Sequence, residues 1–160
     1  MIIVPFMLNL KTFKMNIFEE LRKEHEIQRE LLEKLLKTSG SSEERGLIFK
    51  KLKHELEIHA DAEERFFYKP LFDKDRTQDQ ARHGVAEHHE LDELIEKLEK
   101  TEMDVGAWAN KAKKLSHDVE HHLEDEEHQF FQIAGKVLTE KEKTKLGRDY
   151  RAYIEENRVA

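Results

Sequence analysis

The sequence predicts an all-α protein, an up-down-up-down antiparallel four-helix bundle with an extra C-terminal helix. Charged residues make up 39% of the 160 residues, with only six glycines and two prolines, which is typical of helices with solvated outer faces. Apolar residues recur at helical spacing, and no segment alternates as a half-buried strand does. The third observation is a gapless internal repeat with a period of 63 residues. Each unit corresponds to a helical hairpin that cannot bury its own apolar stripe, whereas two facing copies can.

Capping residues, a Ser/Gly-rich stretch and a proline mark the predicted ends of the helices along the chain. A Thr-Ser-Gly-Ser-Ser stretch ends the first, and Ser41 with Glu44 three places later is typical of a capping box that opens the second. Pro70 is expected to stop the second helix, because proline disrupts a helix interior. Thr139 with Glu142 forms another box, which opens the last helix. The predicted helices cover about residues 17–37, 42–68, 80–100, 107–135 and 140–157, with a loop at 69–80 and a turn at 101–106.

The chain is predicted to be one domain in three parts. Residues 15–137 form the bundle, residues 138–160 form the C-terminal helix packed on it, and residues 1–14 form an N-terminal extension. The extension is either ordered or an upstream start that adds little. Its ten opening apolar residues, interrupted by Pro5, are too few to span a bilayer and lack the features of a signal peptide. We therefore expect a cytoplasmic protein.

Charge and cysteine content exclude several classes of function. The net charge is −7, and no basic patch is available to bind nucleic acid or an anionic membrane. The chain has no cysteine, so disulfides, zinc–thiolate sites and iron–sulfur clusters are excluded. Any metal must therefore use nitrogen and oxygen ligands.

The repeat carries a set of histidines and glutamates with it. At a spacing of 63 residues, eight of 14 positions in residues 24–37 and nine of 18 in residues 50–67 are identical to their mates. A duplicated unit that repeats imidazole and carboxylate in register predicts two equivalent half-sites. The repeated pairs are His25 and His88, His59 and His122, Glu63 and Glu126, and Glu64 and Glu127.

Six of these side chains are predicted to point into the core. His59 and Glu63 are four residues apart, so they share one helical face with the apolar stripe, as do their repeat mates. A lone histidine on such a face is most often a hydrogen-bonded core residue, but six inward positions repeated in register favour a metal pair. Burying these groups without compensation costs on the order of several kcal/mol for each charge, which two ions offset. The predicted ligands are His25, His59, Glu63, His88, His122 and Glu126.

The pattern resembles the hemerythrin-like (HHE cation-binding) family over about residues 15–135. The resemblance lies in one histidine on each of the first and third helices, HADAEE at residues 59–64 and HLEDEE at residues 122–127. It implies a four-helix bundle with two iron ions in a non-haem di-iron centre, carrying an oxo or hydroxo bridge. Such centres bind dioxygen reversibly, sense iron or oxygen, or handle nitric oxide or peroxide. The resemblance makes the four histidines terminal ligands and the two glutamates bridges; zinc or manganese also suits these donors.

This chain departs from the hemerythrins proper at two positions. Gly84 stands where they carry an additional histidine, four residues before the third-helix ligand. Their fourth-helix carboxylate follows its histidine by five residues, at the position of Glu127. That position lies about 140° around an α-helix from its histidine, so Glu126 is favoured and Glu127 is the lesser candidate. Without the extra histidine, each metal has four protein donors. This predicts a more symmetric, exchangeable centre, unless Glu127 or a water fills the place.

Other polar residues have two interpretations each. Gln28 and Gln129 replace apolar repeat mates and either bond a bound ligand or lie at the wet margin of the bundle. Glu64 either accepts a hydrogen bond near the centre or lies at the surface. Tyr68 is expected just to fill the bundle end, and the alternative is a redox-active tyrosine. The other histidines are expected outside the ligand set, with His89 the alternative if the third-helix register differs; they are His54, His83, His89, His117, His121 and His128.

The leading functional prediction is a non-haem di-iron protein that binds dioxygen or a related small oxidant, for oxygen binding, sensing or iron handling. One alternative is a di-iron enzyme acting on peroxide or nitric oxide. Another is a metal-responsive interaction module. Ferroxidase-type sites are carboxylate-rich with Glu-x-x-His spacing, whereas this chain has His-x-x-x-Glu and more histidine. We expect no nucleic-acid or membrane partner, and no sequence feature indicates a protein partner.

Overall fold

The computed structural model describes residues 15–159, and this part of the chain is all-helical, as predicted, with no strand. The predicted N-terminal extension, residues 1–14, lies outside the described residues. No helix within the described part is long and apolar enough to cross a membrane. The first helix is Ile17–Leu36, the third is Gln78–Glu99 and the fifth is Glu140–Arg158. The second helix, Glu43–Glu63, is continued by a π-helical turn, Glu64–Tyr68, and a short helix, Lys69–Phe72. The fourth helix, Gly106–Asp125, is continued by a π-helical turn, Glu126–Phe130, and a helix, Phe131–Val137.

The two predicted capping boxes have different outcomes. Thr139 and Glu142 form theirs, with each side chain accepting a hydrogen bond from the other residue's backbone N–H. The prediction of Ser41 is wrong by one residue: Ser42 is the cap, and its hydroxyl accepts from the Arg45 N–H at 3.1 Å. Adjacent serines offer the same hydroxyl, so the sequence pattern does not distinguish them.

The second helix continues through Pro70, contrary to the prediction. The π-helical turn comes directly before it, and there the Lys69 N–H donates to the Glu64 carbonyl, five residues back. A proline ring in a regular α-helix clashes with the carbonyl four residues earlier, and the wider turn removes this conflict. The helix therefore ends at Phe72, and the predicted loop at 69–80 shortens to residues 73–77.

Two apolar clusters lie on either side of a buried polar centre. The first joins the start of the first helix to the ends of the second and fourth helices and to the fifth helix. The second joins the end of the first helix to the starts of the second and fourth and to the C-terminal part of the third. The centre is therefore enclosed along the bundle from both directions.

The fifth helix packs on the first and second helices. Tyr150 and Ile154 are fully buried in the first apolar cluster. Gly147 permits the close approach, because a Cβ atom there would lie 2.7 Å from the carbonyl carbon of Asn16 and 2.8 Å from the nitrogen of Ile17. One side of the bundle is thus covered by a helix that lies outside the repeat.

Candidate metal centre

The structure brings all six predicted ligands together between the two apolar clusters. Each of the first four helices contributes to the centre, and none of the six residues is more than 5% exposed. Their role as ligands stays a prediction, while their burial and convergence are structural facts. They are His25 from the first helix, His59 and Glu63 from the second, His88 from the third, and His122 and Glu126 from the fourth.

Glu63 lies between a histidine of its own repeat unit and one of the other unit. One of its oxygens is 3.3 Å from His59 Nε2 and 3.1 Å from His88 Nε2. Two groups of possible ligands share this carboxylate, and within each group one donor atom per residue lies within 4.8 Å of the others. Glu63 is thus placed as a bridge between two ions would be. The two groups are His25, His59, Glu63 and Glu63, His88, His122.

Glu126 occupies the corresponding place on the fourth helix. Its oxygens lie 3.4 Å from His25 Nε2 and 3.6 Å from His122 Nε2, so it too faces a histidine of each repeat unit. One of them also accepts a short hydrogen bond from the Tyr68 hydroxyl. Glu126 is therefore shared between the centre and a buried phenol.

Every histidine of the centre is oriented by a partner at its Nδ1 atom. Three of these partners are carboxylates, which accept the Nδ1 proton and leave the Nε2 lone pair pointing inward. A metal-binding histidine typically has such an outer partner. The partners are Glu127 for His25 at 2.7 Å, the Tyr150 hydroxyl for His59 at 2.7 Å, Glu64 for His88 at 2.9 Å and Glu87 for His122 at 3.0 Å.

Glu127 and Glu64 hold repeat-related histidines from opposite units. Glu127 on the fourth helix binds His25 on the first, and Glu64 on the second binds His88 on the third. In this structure the Glu127 carboxylate is therefore an outer partner rather than a donor in the centre. Both interpretations of Glu64 apply in part, because it bonds His88 while its side chain is 40% exposed.

Two of these partners, Glu87 and Tyr150, are not among the residues predicted from the sequence. Glu87 had a signal, because Glu24 is its identical repeat mate, but no role was assigned to the pair. Tyr150 had none, since it lies outside the repeat on the fifth helix. The fifth helix covers the first half of the repeat, which we call the covered half; the second half is the open half. In the covered half, Glu24 does not bond His59 of the second helix, and Tyr150 takes that position instead.

Several buried polar atoms at the centre have no hydrogen-bond partner among the described residues. Most buried polar atoms in proteins do have one, so such a concentration requires an explanation. A pair of cations among imidazole and carboxylate donors supplies it. The residues therefore fit a two-metal group. The unpartnered atoms are His25 Nε2, His59 Nε2, both Glu63 carboxylate oxygens and Glu126 Oε2.

Electrostatics couple the histidines to the carboxylates. Burial opposes the charged form of His25, but the adjacent carboxylates of Glu126 and Glu127 outweigh this and raise its pKa to about 9. In the same way, the adjacent carboxylates of Glu63 and Glu64 raise the pKa of His88 to about 10. Burial disfavours the Glu63 carboxylate, yet its histidine neighbours hold its pKa well below the ordinary value. Without metal, protons therefore stand in for part of the positive charge.

Tyr68 reaches the centre through space left by Gly84. A Cβ atom at position 84 would lie 2.7 Å from Cε2 of Tyr68 and closer still to its hydroxyl. Burial and the charge of Glu126 raise the pKa of the Tyr68 hydroxyl well above its ordinary value, so it remains a donor. The phenol thus fills the space beside Gly84. The expectation that Tyr68 only fills the bundle end is wrong.

Two cavities adjoin the centre. The larger, about 320 Å³, opens beside Gly84 and His122 and is also lined by Glu126 and Gln129. The smaller, about 20 Å³, lies further along the bundle. Gln28 faces it with a buried Nε2 that has no partner among residues 15–159. Gln28 is only 2% exposed, so the wet-margin interpretation is wrong for it, whereas Gln129 is exposed.

The remaining histidines lie outside the centre, as expected. His54 is half-buried, and its ring contacts the Asn157 carbonyl on the fifth helix at 3.1 Å. His89 is exposed and pairs with Glu93, so the alternative third-helix register is wrong. The others are exposed; they are His83, His117, His121 and His128.

Comparison with known proteins agrees with this geometry. The family model described as hemerythrin HHE cation binding domain matches residues 16–134. The chain is similar to a crystal structure of a hemerythrin HHE cation-binding-domain-containing protein from Mycobacterium kansasii, with a TM-score of 0.81 and 25% sequence identity. The similarity covers 91% of this chain and 88% of that one. No curated protein matches.

Proposed function

Because this chain belongs to the hemerythrin HHE cation-binding family, we propose that its buried centre holds two iron ions and binds dioxygen or a related small oxidant. The four histidines would hold the ions as terminal ligands, and Glu63 and Glu126 would hold them as shared ligands. Bound iron would supply the exchange of electrons with the oxidant. The chain's residues hold the ions, exclude bulk water and admit a small molecule.

The observation that carries the proposal is the set of unpartnered inward-facing atoms. Five buried polar atoms of four residues face one centre and lack partners among the described residues. The outer Nδ1 partners are complete at the same time, which is the arrangement of a metal-binding histidine. A fully hydrogen-bonded core would pair all of its inward atoms. Among the described residues, the two inward nitrogens within hydrogen-bond distance of each other are His88 Nε2 and His122 Nε2, which lie 3.2 Å apart.

The cavities favour a small ligand. The inner cavity of about 20 Å³ has room for one water-sized molecule, and the Gln28 amide can donate a hydrogen bond into it. The larger cavity leads from solvent to His122 and Glu126. The inner cavity, which lies against His59, His88 and His122, is too small for an organic substrate.

One observation favours the second candidate, an enzyme acting on peroxide or nitric oxide. The Tyr68 hydroxyl is a buried proton donor on Glu126, on the side of the centre where the large cavity opens. A donor in that position can deliver a proton to a reduced oxidant. The same position equally supports simple hydrogen bonding to a bound molecule.

We also propose the up-down-up-down antiparallel course for the four long helices. The distribution of the two apolar clusters supports it. Each cluster contains the start of some helices and the end of their neighbours in the chain, as alternating directions require.

The decisive experiment is optical. The anaerobically reduced, iron-loaded protein is exposed to oxygen while its near-ultraviolet and visible spectrum is recorded. A charge-transfer band that disappears on deoxygenation supports reversible binding, and continuous peroxide turnover supports the enzyme. A protein that takes up no iron, or whose iron gives no band and no turnover, contradicts both.

Metal content tests the ligand set. His59→Ala and His122→Ala should each lower iron content, because each removes one of four terminal nitrogen donors. His89→Ala is the matched control, since His89 is exposed on the same bundle and pairs only with Glu93. Equal iron loss in the control would contradict the assignment.

A further inference from the structure

We propose a second, solvent-facing cation site at the mouth of the larger cavity, formed by His83, Glu87 and Asp125, which takes a divalent first-row metal ion. One donor atom from each of the three residues lies within 4.8 Å of the others. Imidazole and carboxylate donors at about 2.0–2.2 Å from one ion are the pattern for zinc and related metals. Small rotations of the exposed His83 and Asp125 side chains close the remaining gap.

The site is distinct from the buried centre but shares one contact with it. One oxygen of Glu87 contacts His83 Nε2, and the other accepts from His122 Nδ1 at 3.0 Å. His83 is 68% exposed and Asp125 is 42% exposed at the side chain, so an ion from solution reaches them directly. All three residues line the larger cavity.

The repeat supplies an independent reason to place a cation here. The mates of His83 and Glu87 in the covered half are Glu20 and Glu24. There the protein provides the cation: Arg151 Nε donates to Glu20 at 2.6 Å, and Arg151 Nη1 donates to Glu24 at 3.1 Å. A guanidinium of the fifth helix thus occupies the place that corresponds to the proposed ion.

The open half has no such arginine among the described residues. Within residues 15–159, Glu87 contacts only His83 and His122 as basic partners, and Asp125 contacts only His121, at 3.2 Å. The acidic chain, with a net charge of −7, favours a cation at this point. At the repeat position where the covered half has Glu20, the open half has His83. An imidazole donor therefore stands in place of a second carboxylate, which suits a metal ion better than a guanidinium.

Calorimetric titration of the metal-free protein with Zn²⁺ tests the proposal, in a buffer that contains excess Mg²⁺ to occupy nonspecific acidic sites. Wild type should bind three equivalents, of which one is at least tenfold weaker than the other two. His83→Gln and Asp125→Asn should each abolish the weaker equivalent and leave the other two. His83 is exposed and Asp125 is half-buried at the surface, and both substitutions keep the size of the side chain, so we expect the fold to be retained, which circular dichroism checks.

The matched control is His89→Gln. His89 and Glu93 form an exposed pair of the same spacing as His83 and Glu87, without a third ligand, and the variant should keep three equivalents. Two equivalents in wild type, or a weaker equivalent that survives both His83→Gln and Asp125→Asn, would overturn the proposal. Failure of the buried centre looks different, because it removes the two tighter equivalents and leaves the weaker one.

Discussion

The two halves of the repeat differ most in what lies outside them. In the first half, Tyr150 of the fifth helix bonds His59, and Arg151 neutralises the glutamates beside it. In the second half, Glu87 bonds His122, and a cavity of about 320 Å³ opens beside it. The fifth helix therefore gives a duplicated, nearly symmetric set of candidate ligands one closed side and one open side.

A second difference lies inside the repeat. Gly84 and Tyr68 of the two hairpins correspond to Leu21 and Phe131. In one pair a leucine fills the core and the phenylalanine ring stacks on His25, with ring centroids 6.0 Å apart. In the other pair the glycine leaves room, and the tyrosine ring stacks on its histidine and reaches Glu126. The six candidate ligands thus lie in repeat-related pairs, whereas their surroundings differ between the two halves of the repeat.

The largest expected effect is on the metal-free protein as pH changes. The pKa values of His25 and His88 are raised from 6.5 to about 9 and about 10, so the stability that they contribute is fully present below pH 6.5. It is lost as pH rises through about 9 to 10, a decrease on the order of several kcal/mol in the free energy of unfolding. Urea denaturation at a series of pH values measures it.

The same titration has an acidic limb and a control. The pKa of Glu127 is lowered to about 2: burial alone would raise it, but bonds from His25 and Arg29 prevail. Its contribution is therefore present above pH 4.5 and is lost as pH falls toward 2. In the metal-loaded protein the alkaline loss should disappear, because ions replace the histidine protons. An alkaline loss of equal size with and without metal would contradict the coupling.

The next effect concerns the covering helix. Gly147→Ala should lower the free energy of unfolding by about 3 kcal/mol, because the new methyl group meets the backbone of Asn16 and Ile17, which cannot rotate away. Gly46→Ala is the control, since no atom lies within 4 Å of its added Cβ, and it should gain about 0.5–1 kcal/mol. Thermal unfolding of both variants measures the difference. A Gly147→Ala protein as stable as wild type would show that the fifth helix is not closely seated.

The covered half also shows what the sequence could not predict. The helices and the six converging side chains follow from apolar spacing and from the repeat, because both constrain one face of each helix. Tyr150 has no repeat mate, so no internal comparison could assign it to His59. The π-helical turn before Pro70 is a local departure from α geometry, and rules based on 3.6 residues per turn ended the helix there instead.

A smaller expected loss of stability tests the close packing of the Tyr68 ring against Gly84. Gly84→Ala should cost about 1–3 kcal/mol, because the methyl group overlaps the buried phenol ring. Adding Tyr68→Leu to that variant should recover part of the loss, since the ring is gone. Tyr68→Phe is the matched control: it removes only the hydroxyl, keeps the clashing ring and should give no recovery. A double-mutant cycle by urea denaturation measures the coupling, and additive effects would contradict the contact.

The smallest expected effect is a loss of metal affinity when the Nδ1 partner of His59 or of His122 is removed. Tyr150→Phe removes only the hydroxyl that holds His59, and Glu87→Gln removes the charge that holds His122. Each should weaken metal binding by about tenfold, because an outer partner fixes the ring and raises its basicity. Glu87→Gln should have the larger effect, because it replaces a charge-assisted hydrogen bond with a neutral one. The hydroxyl that is lost in Tyr150→Phe makes only a neutral hydrogen bond. Competition with a chelator measures both affinities, with Tyr153→Phe as the control on the same helix. Equal, unchanged affinities in both variants would mean that the closed and open sides hold their histidines by packing alone.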